Sequence, residues 1–231
     1  MKKLFIFLLI SLYFTSSVYA DSRNFSFKAD NTKINVRTPD GFYESSNIYP
    51  ERLEFVRTFY PEYLMVHAVL VPKGIPDTER LSRYMILVTN KKADKHKITQ
   101  SFFDETRDLM REQQFTLINE YRDMIDDALE EGTSKIFNKY DVDFITEIGE
   151  TVPLGVFIDN ERVISLNMIS NTNISYNGIN HSFLQLGSLS LVFVKNKIVN
   201  VYIYSDFDSE KDIIWIEAKT KELVNLLINN N

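Results

Sequence analysis

The side chains best suited to chemistry in this chain are carboxylates. Asp206, Asp208, Glu210 and Asp212 alternate where a strand pattern gives way to a helix pattern. The run starts like a calcium loop, but Lys211 stands where an EF-hand requires glycine, and the closing glutamate is missing. Acids at a helix N-terminus are stabilised by its dipole in any case. Asp123, Asp126, Asp127, Glu130 and Glu131 recur at helical spacing and share one helix face. Such a face suits a hard cation or plain solvation, and solvation is the simpler expectation.

The other chemistries have weaker support. His67, His96 and His181 are too far apart in sequence for a zinc-type His spacing. His67 lies inside an apolar run, as a hydrogen-bonded core histidine would. His96 sits between Lys95 and Lys97 in a basic, solvated stretch. His181 follows a turn and is a candidate pocket residue. There is no G-x-S-x-G elbow for a serine nucleophile and no glycine-rich phosphate loop. With no cysteine, thiol catalysis and thiolate metal sites are excluded. No cofactor motif and no metal-ligand set is present. Tyr202 and Tyr204 fall on one face of the last strand, so they either line a groove or pack beneath a helix.

These residues must be positioned by a recognisable series of elements. Residues 25–29 and 34–38 read as two strands joined by a turn at Asp30-Asn31. Residues 45–61 fit a short helix or a strand. Residues 64–71 and 84–88 are nearly continuous apolar runs, as in strands covered on both faces. Residues 99–131 carry helical spacing, capped by Thr99 or Ser101 and ended by Gly132. The expected docking stripe is Phe102, Phe103, Leu109, Met110, Leu117, Tyr121 and Met124, with Asp123, Asp127, Glu130 and Glu131 in water. From Tyr140 through Val142, Phe144 and Ile148 the period becomes two. Hairpins follow at residues 159–161, at Asn177-Gly178 and at residues 195–197, with Gly187 marking a bulge. Residues 209–227 form a closing helix with Ser209 and Asp212 as a capping-box pair. The expected class is α+β, one domain, a mainly antiparallel sheet with helices on its faces.

The segment Val36-Arg37-Thr38-Pro39-Asp40-Gly41-Phe42, followed much later by a hairpin and a terminal helix, resembles domains of the photosystem accessory PsbP and Mog1 type. The resemblance implies an α/β/α sandwich and a binding or accessory role. It carries no functional residue onto this chain.

The N-terminus reads as a secretory signal. Lys2 and Lys3 precede an apolar run over residues 4–14, and Val18-Tyr19-Ala20 suits signal peptidase. Residues 1–20 are then removed, leaving a mature domain over residues 21–231. They hold two lysines and no acid, so the formal charge moves from −6 to −8. Nucleic-acid binding needs a cationic footprint that this chain lacks. A cysteine-free exported chain points to the bacterial periplasm or exterior. Two functions remain open. One is an exported non-enzymatic binding or accessory protein, whose partner is another envelope protein or a small ligand. The other is a carboxylate-dependent envelope hydrolase, which needs two carboxyls roughly 5–10 Å apart across a cleft.

Overall fold

A computed structural model describes residues 23–75, 80–120, 122–141 and 143–231. The proposed leader, Leu117's side chain, Tyr121 and Val142 lie outside what is described.

The chain opens with the hairpin β1 (Asn24–Ala29) and β2 (Thr32–Arg37), turned by Asp30 at φ 53°. It then builds a seven-stranded sheet from β3 (Phe42–Glu44), β4 (Leu64–Pro72), β5 (Arg83–Asn90), β6 (Phe144–Asn160), β7 (Val163–Tyr176), β8 (Ile179–Val194) and β9 (Lys197–Asp206). Their spatial order is β3-β4-β5-β9-β8-β7-β6, and the neighbouring strands pair antiparallel. The helices are α1 (Pro50–Arg57), α2 (Gln100–Glu112), α3 (Gln114–Glu120), α4 (Arg122–Tyr140) and α5 (Glu210–Asn229). The fold is α+β in a single domain. The ambiguous stretch after Ser45 resolves into α1.

One face of the sheet carries the main core. Ile216, Leu223, Val224 and Leu227 recur at helical spacing on α5, and pack with Leu87, Val201, Ile203 and the β1–β2 residues Ala29 and Ile34. The other face is covered in pieces. α1 lies over β4 and β5, while Met110 of α2 meets Ile164 and Leu166 of β7. The stretches Ala68–Val71 of β4 and Met85–Val88 of β5 are apolar on both faces because both faces are covered.

Several expectations need correction. The helix expected over residues 99–131 is divided. Thr99 caps its start by accepting the amide of Phe102 at 3.2 Å, but α2 stops at Gln113. Gly132 does not end a helix; it lies inside α4. A Cβ there would come within 2.5 Å of the Phe59 ring and 2.8 Å of the Thr58 carbonyl, so glycine permits the close approach of α4 to the segment after α1. The left-handed position after α4 belongs to Asp141, at φ 52°. Tyr140 therefore ends a helix, and the strand begins at Phe144. On α2, Phe103 and Met110 are buried, but Phe102 and Leu109 are 51% and 43% exposed. They occupy the flank of the helix, not the face that meets the sheet. Gly187 marks no bulge, because β8 keeps register with both neighbours through it. A Cβ there would sit 3.3 Å from the Met168 side chain, so the position is one of tight packing.

The last three hairpin strands differ in length. β9 pairs with β8 only as far as Gln185↔Asp206, whereas β7 and β8 stay paired to Tyr176↔Ile179. Asn177 and Gly178, at φ 49° and 77°, make the tight turn at the tip. β6 follows β7 out to Phe144↔Tyr176. A three-stranded ribbon thus projects beyond the end of β9.

Candidate functional site

The tyrosines pack beneath a helix. Tyr202 and Tyr204 lie on the α1 face of β9, with Tyr84 of β5 stacked on Tyr204 at 4.8 Å and Tyr60 edge-on to Tyr202 at 6.1 Å. Burial raises the phenol pKa of Tyr84 and Tyr202 to about 12, and that of Tyr60 and Tyr204 well above the usual range. All four stay neutral at physiological pH, and their rings fill space between the sheet and α1.

His67 is the hydrogen-bonded core histidine expected from its apolar run. Its ring stacks on Phe27 at 4.0 Å. The Thr89 hydroxyl donates to the Asp94 carboxylate, so the Nε2–H of His67 is the donor to Thr89 Oγ1 at 2.8 Å. Burial, then the nearby Arg57 charge, lowers the His67 pKa to about 4. Burial also raises the Asp94 carboxyl. The chain of three has the composition of a catalytic relay but not its access, since Thr89 is fully buried.

Asp206 and Asp208 meet Asp212 at a cleft of about 380 Å³ between the end of β9 and the start of α5. Arg80 and Arg83 share its lining. Arg80 grips Asp206 with two guanidinium nitrogens and lies 4.4 Å over the Phe183 ring. Arg83 donates to Asp212 at 2.9 Å and covers the Trp215 ring at 4.3 Å. Asp212 also accepts the amides of Ser209 and Asp208, at 3.0 and 3.1 Å, as a capping residue. Burial opposes its charge, but these amides and Arg83 together hold its carboxyl below the ordinary carboxylate value. Asp208 itself is exposed. The cleft thus places cations and anions together already matched, with Asp206 and Asp212 committed to arginines. Among the described residues no three His, Asp or Glu side chains are grouped to hold a metal ion.

Asp123, Asp127, Glu130 and Glu131 face water along α4. Two of the neighbouring charges are paired locally, Arg122 with Asp126 at 2.9 Å and Lys135 with Glu131 at 2.6 Å.

His181 lies in the ribbon, in the wall of a second hollow of about 470 Å³. The pairing places Ile145, Glu147, Asn173, Ser175, Asn180 and Ser182 on one face, through Ile145↔Ser175, Glu147↔Asn173, Asn173↔Ser182 and Ser175↔Asn180. This is the side that α5 covers farther along the sheet. The helix lies over β8, β9 and β2 and leaves the ribbon open. Ile174 and His181 pair with each other, so their side chains alternate to the opposite side. Asn171 pairs with Leu184 one row farther in and takes a hydrogen bond from the Ser182 hydroxyl at 3.2 Å. Gly149 makes room for it, since a Cβ there would stand 3.1 Å from the Asn171 carbonyl. Arg122 donates to the edge carbonyls of Ile148 and Gly149, closing part of the β6 edge where the register shifts.

His181 stands out in the sequence, whereas the neutral residues around it do not. Their signal was present: Asn171, Asn173, Ser175, Asn180 and Ser182 alternate on either side of Asn177-Gly178, so folding at that turn brings them to one face.

No protein-family model matches this chain, and no curated protein matches it. Among solved structures, the Saccharomyces cerevisiae Ran-binding protein Mog1p is 9% identical over 90% of this chain and 93% of that one, with a TM-score of 0.35. A point mutant of the protein Mog1 is 11% identical over 89% of this chain and 96% of its own, with a TM-score of 0.39. The chain resembles Mog1 weakly, and in fold alone.

Proposed function

We propose that this is an exported, non-enzymatic binding or accessory protein of the bacterial envelope. In this reading the open face of the ribbon is the binding surface. The observation that carries it is the uncovered hollow over β6, β7 and β8, lined by polar side chains that face water. The Lys2-Lys3 and apolar N-terminal series supports export. The pairing of Asp206 and Asp212 with arginines favours binding over hydrolysis, because a general acid needs a carboxyl whose pKa is raised and which reaches a cleft.

The test uses the full chain, made in a bacterial host with its own N-terminus. Intact mass should place the first mature residue at Asp21, in the exported fraction. The mature protein should stay with washed envelopes, and Asn173→Ala/Asn180→Ala should release it without unfolding it. Full-length chain in the cytosol would contradict export. Retention that ignores the double substitution would contradict the ribbon as binding surface.

A further inference from the structure

We infer that the ribbon hollow recognises a neutral, polyhydroxylated chain, that is, an uncharged oligosaccharide. This inference deepens the binding role proposed above and rests on it. The outer row is Ile145, Ser175 and Asn180, and the next is Glu147, Asn173 and Ser182. Among the described residues no lysine or arginine lines the hollow, and the carboxylate of Glu147 is the single charge there. An anionic ligand such as a phosphate therefore has nothing there to neutralise it. A cation would find one exposed carboxylate, which is too little for a site of hard-cation type.

Amides and hydroxyls offer both donors and acceptors. A sugar hydroxyl does the same, and it needs both at once. The ribbon supplies both. Because Asn171 Oδ1 is occupied by the Ser182 hydroxyl, its amide is turned so that the Nδ2 hydrogens remain available as donors. The Ser182 oxygen retains acceptor capacity beside it. Asn173 lies between Glu147 and Ser182 in the same row, so an acceptor-only carboxylate, an amide and a hydroxyl stand side by side. Neighbouring strands are about 4.8 Å apart, and same-face residues along a strand are about 6.8 Å apart. Apart from the exposed Ile145, the two rows thus form a grid of polar groups with the dimensions of a sugar ring and its neighbour.

The inner border of the grid is apolar. Val152 and Leu184 are 41% and 46% exposed on the same face as Asn171, and they offer a surface for the C–H faces of a sugar. The grid stands on three hydrogen-bonded strands, and Arg122 covers part of the edge of β6.

The test is an amide chemical-shift titration of the mature chain with two neutral probes, a β1,4-linked N-acetylglucosamine tetrasaccharide and an α1,4-linked glucose tetrasaccharide. Saturable shifts with at least one probe, confined to the amides of residues 145–149, 171–175 and 180–184, are expected. Asn173→Ala/Asn180→Ala should weaken that binding about tenfold or more, and Arg80→Ala should leave it unchanged. Release of the chain from washed envelopes by the same tetrasaccharide would identify an envelope polymer as the source, rather than a free sugar. Spectra unmoved by both probes overturn the inference, as do shifts centred on the Arg80–Arg83 cleft. Shifts on the ribbon with a neutral Asn/Ser-rich peptide, and none with the sugars, overturn it in favour of a protein partner. If the sugars fail while the double substitution still frees the protein from envelopes, the ligand class falls and the binding role stands.

Discussion

Two hollows of the molecule use polar residues in opposite ways. In the cleft at the start of α5, Arg80 and Arg83 are spent on Asp206 and Asp212, and two backbone amides complete the second carboxylate. In the ribbon, the neutral groups of Asn173, Ser175 and Asn180 reach solvent, and α5 does not extend over them. The first hollow joins a helix to a sheet. The second is a surface left open at the end of one. A dense group of charges can thus be matched entirely within the molecule. What distinguishes the two is whether the polar groups are already satisfied.

The largest effect of a single change should come from the core that joins the two regions. Leu223→Ala removes a fully buried side chain of α5 and should cost about 2–5 kcal/mol in chemical denaturation. It should lower the stability of the whole domain and leave the face of the ribbon unaltered once folded.

Acid should come next, through His67. Its folded pKa of about 4 lies below the ordinary value of 6.5, so the unfolded chain binds the proton more readily. Stability contributed by neutral His67 is fully present above about pH 6.5 and falls as the pH drops towards 4. Below that both states are protonated and the loss stops. The full span is roughly 3 kcal/mol as an upper bound, reduced by the solvent the partly buried ring still meets. Asp212 acts in the same direction at lower pH. Its depressed folded pKa adds stability above the unfolded carboxylate value, and this is lost as pH falls through the folded one. Unfolding measured across this range should show the first loss disappear in His67→Asn.

Asp212→Ala tests the cleft. It removes the capping acceptor of two amides and the partner of Arg83, so a loss of about 2 kcal/mol in thermal or denaturant unfolding is expected. The smallest change belongs to the ribbon. Asn173→Ala/Asn180→Ala should alter stability by less than roughly 0.5 kcal/mol, because both positions reach solvent. A large loss of stability in that variant would mean that the grid is structural, like the cleft.

Much of the fold was legible because it is written in short periods. The alternation after residue 144, the Asn177-Gly178 turn and the Ser209/Asp212 cap each follow from neighbours in sequence. The ends of the helices between residues 99 and 140 are not legible locally, because they depend on distant residues. Nothing near Gly132 announces that Phe59 will press against it. Leu109 and Phe102 fit a helical stripe, yet they lie on the flank of α2, so Leu109→Ala should cost well under the 2–5 kcal/mol typical of a cavity. The candidate site was less legible for a related reason. Asp206 and Asp208 stand out as a cluster, but the arginines that answer Asp206 and Asp212 come from residues 80 and 83, more than a hundred positions away. The ribbon residues are neutral and ordinary singly. They become a surface only because β9 ends before β7 and β8 do.

The most direct test of this account compares the two hollows in one assay. The mature chain, Asn173→Ala/Asn180→Ala and Arg80→Ala are each added to washed bacterial envelopes, and the bound fraction is measured after matching for folded protein. The account predicts that the ribbon variant is lost to the wash and that the Arg80 variant is retained like the unaltered chain. Retention of the ribbon variant together with loss of the Arg80 variant would contradict it, and would place the binding surface in the charged cleft.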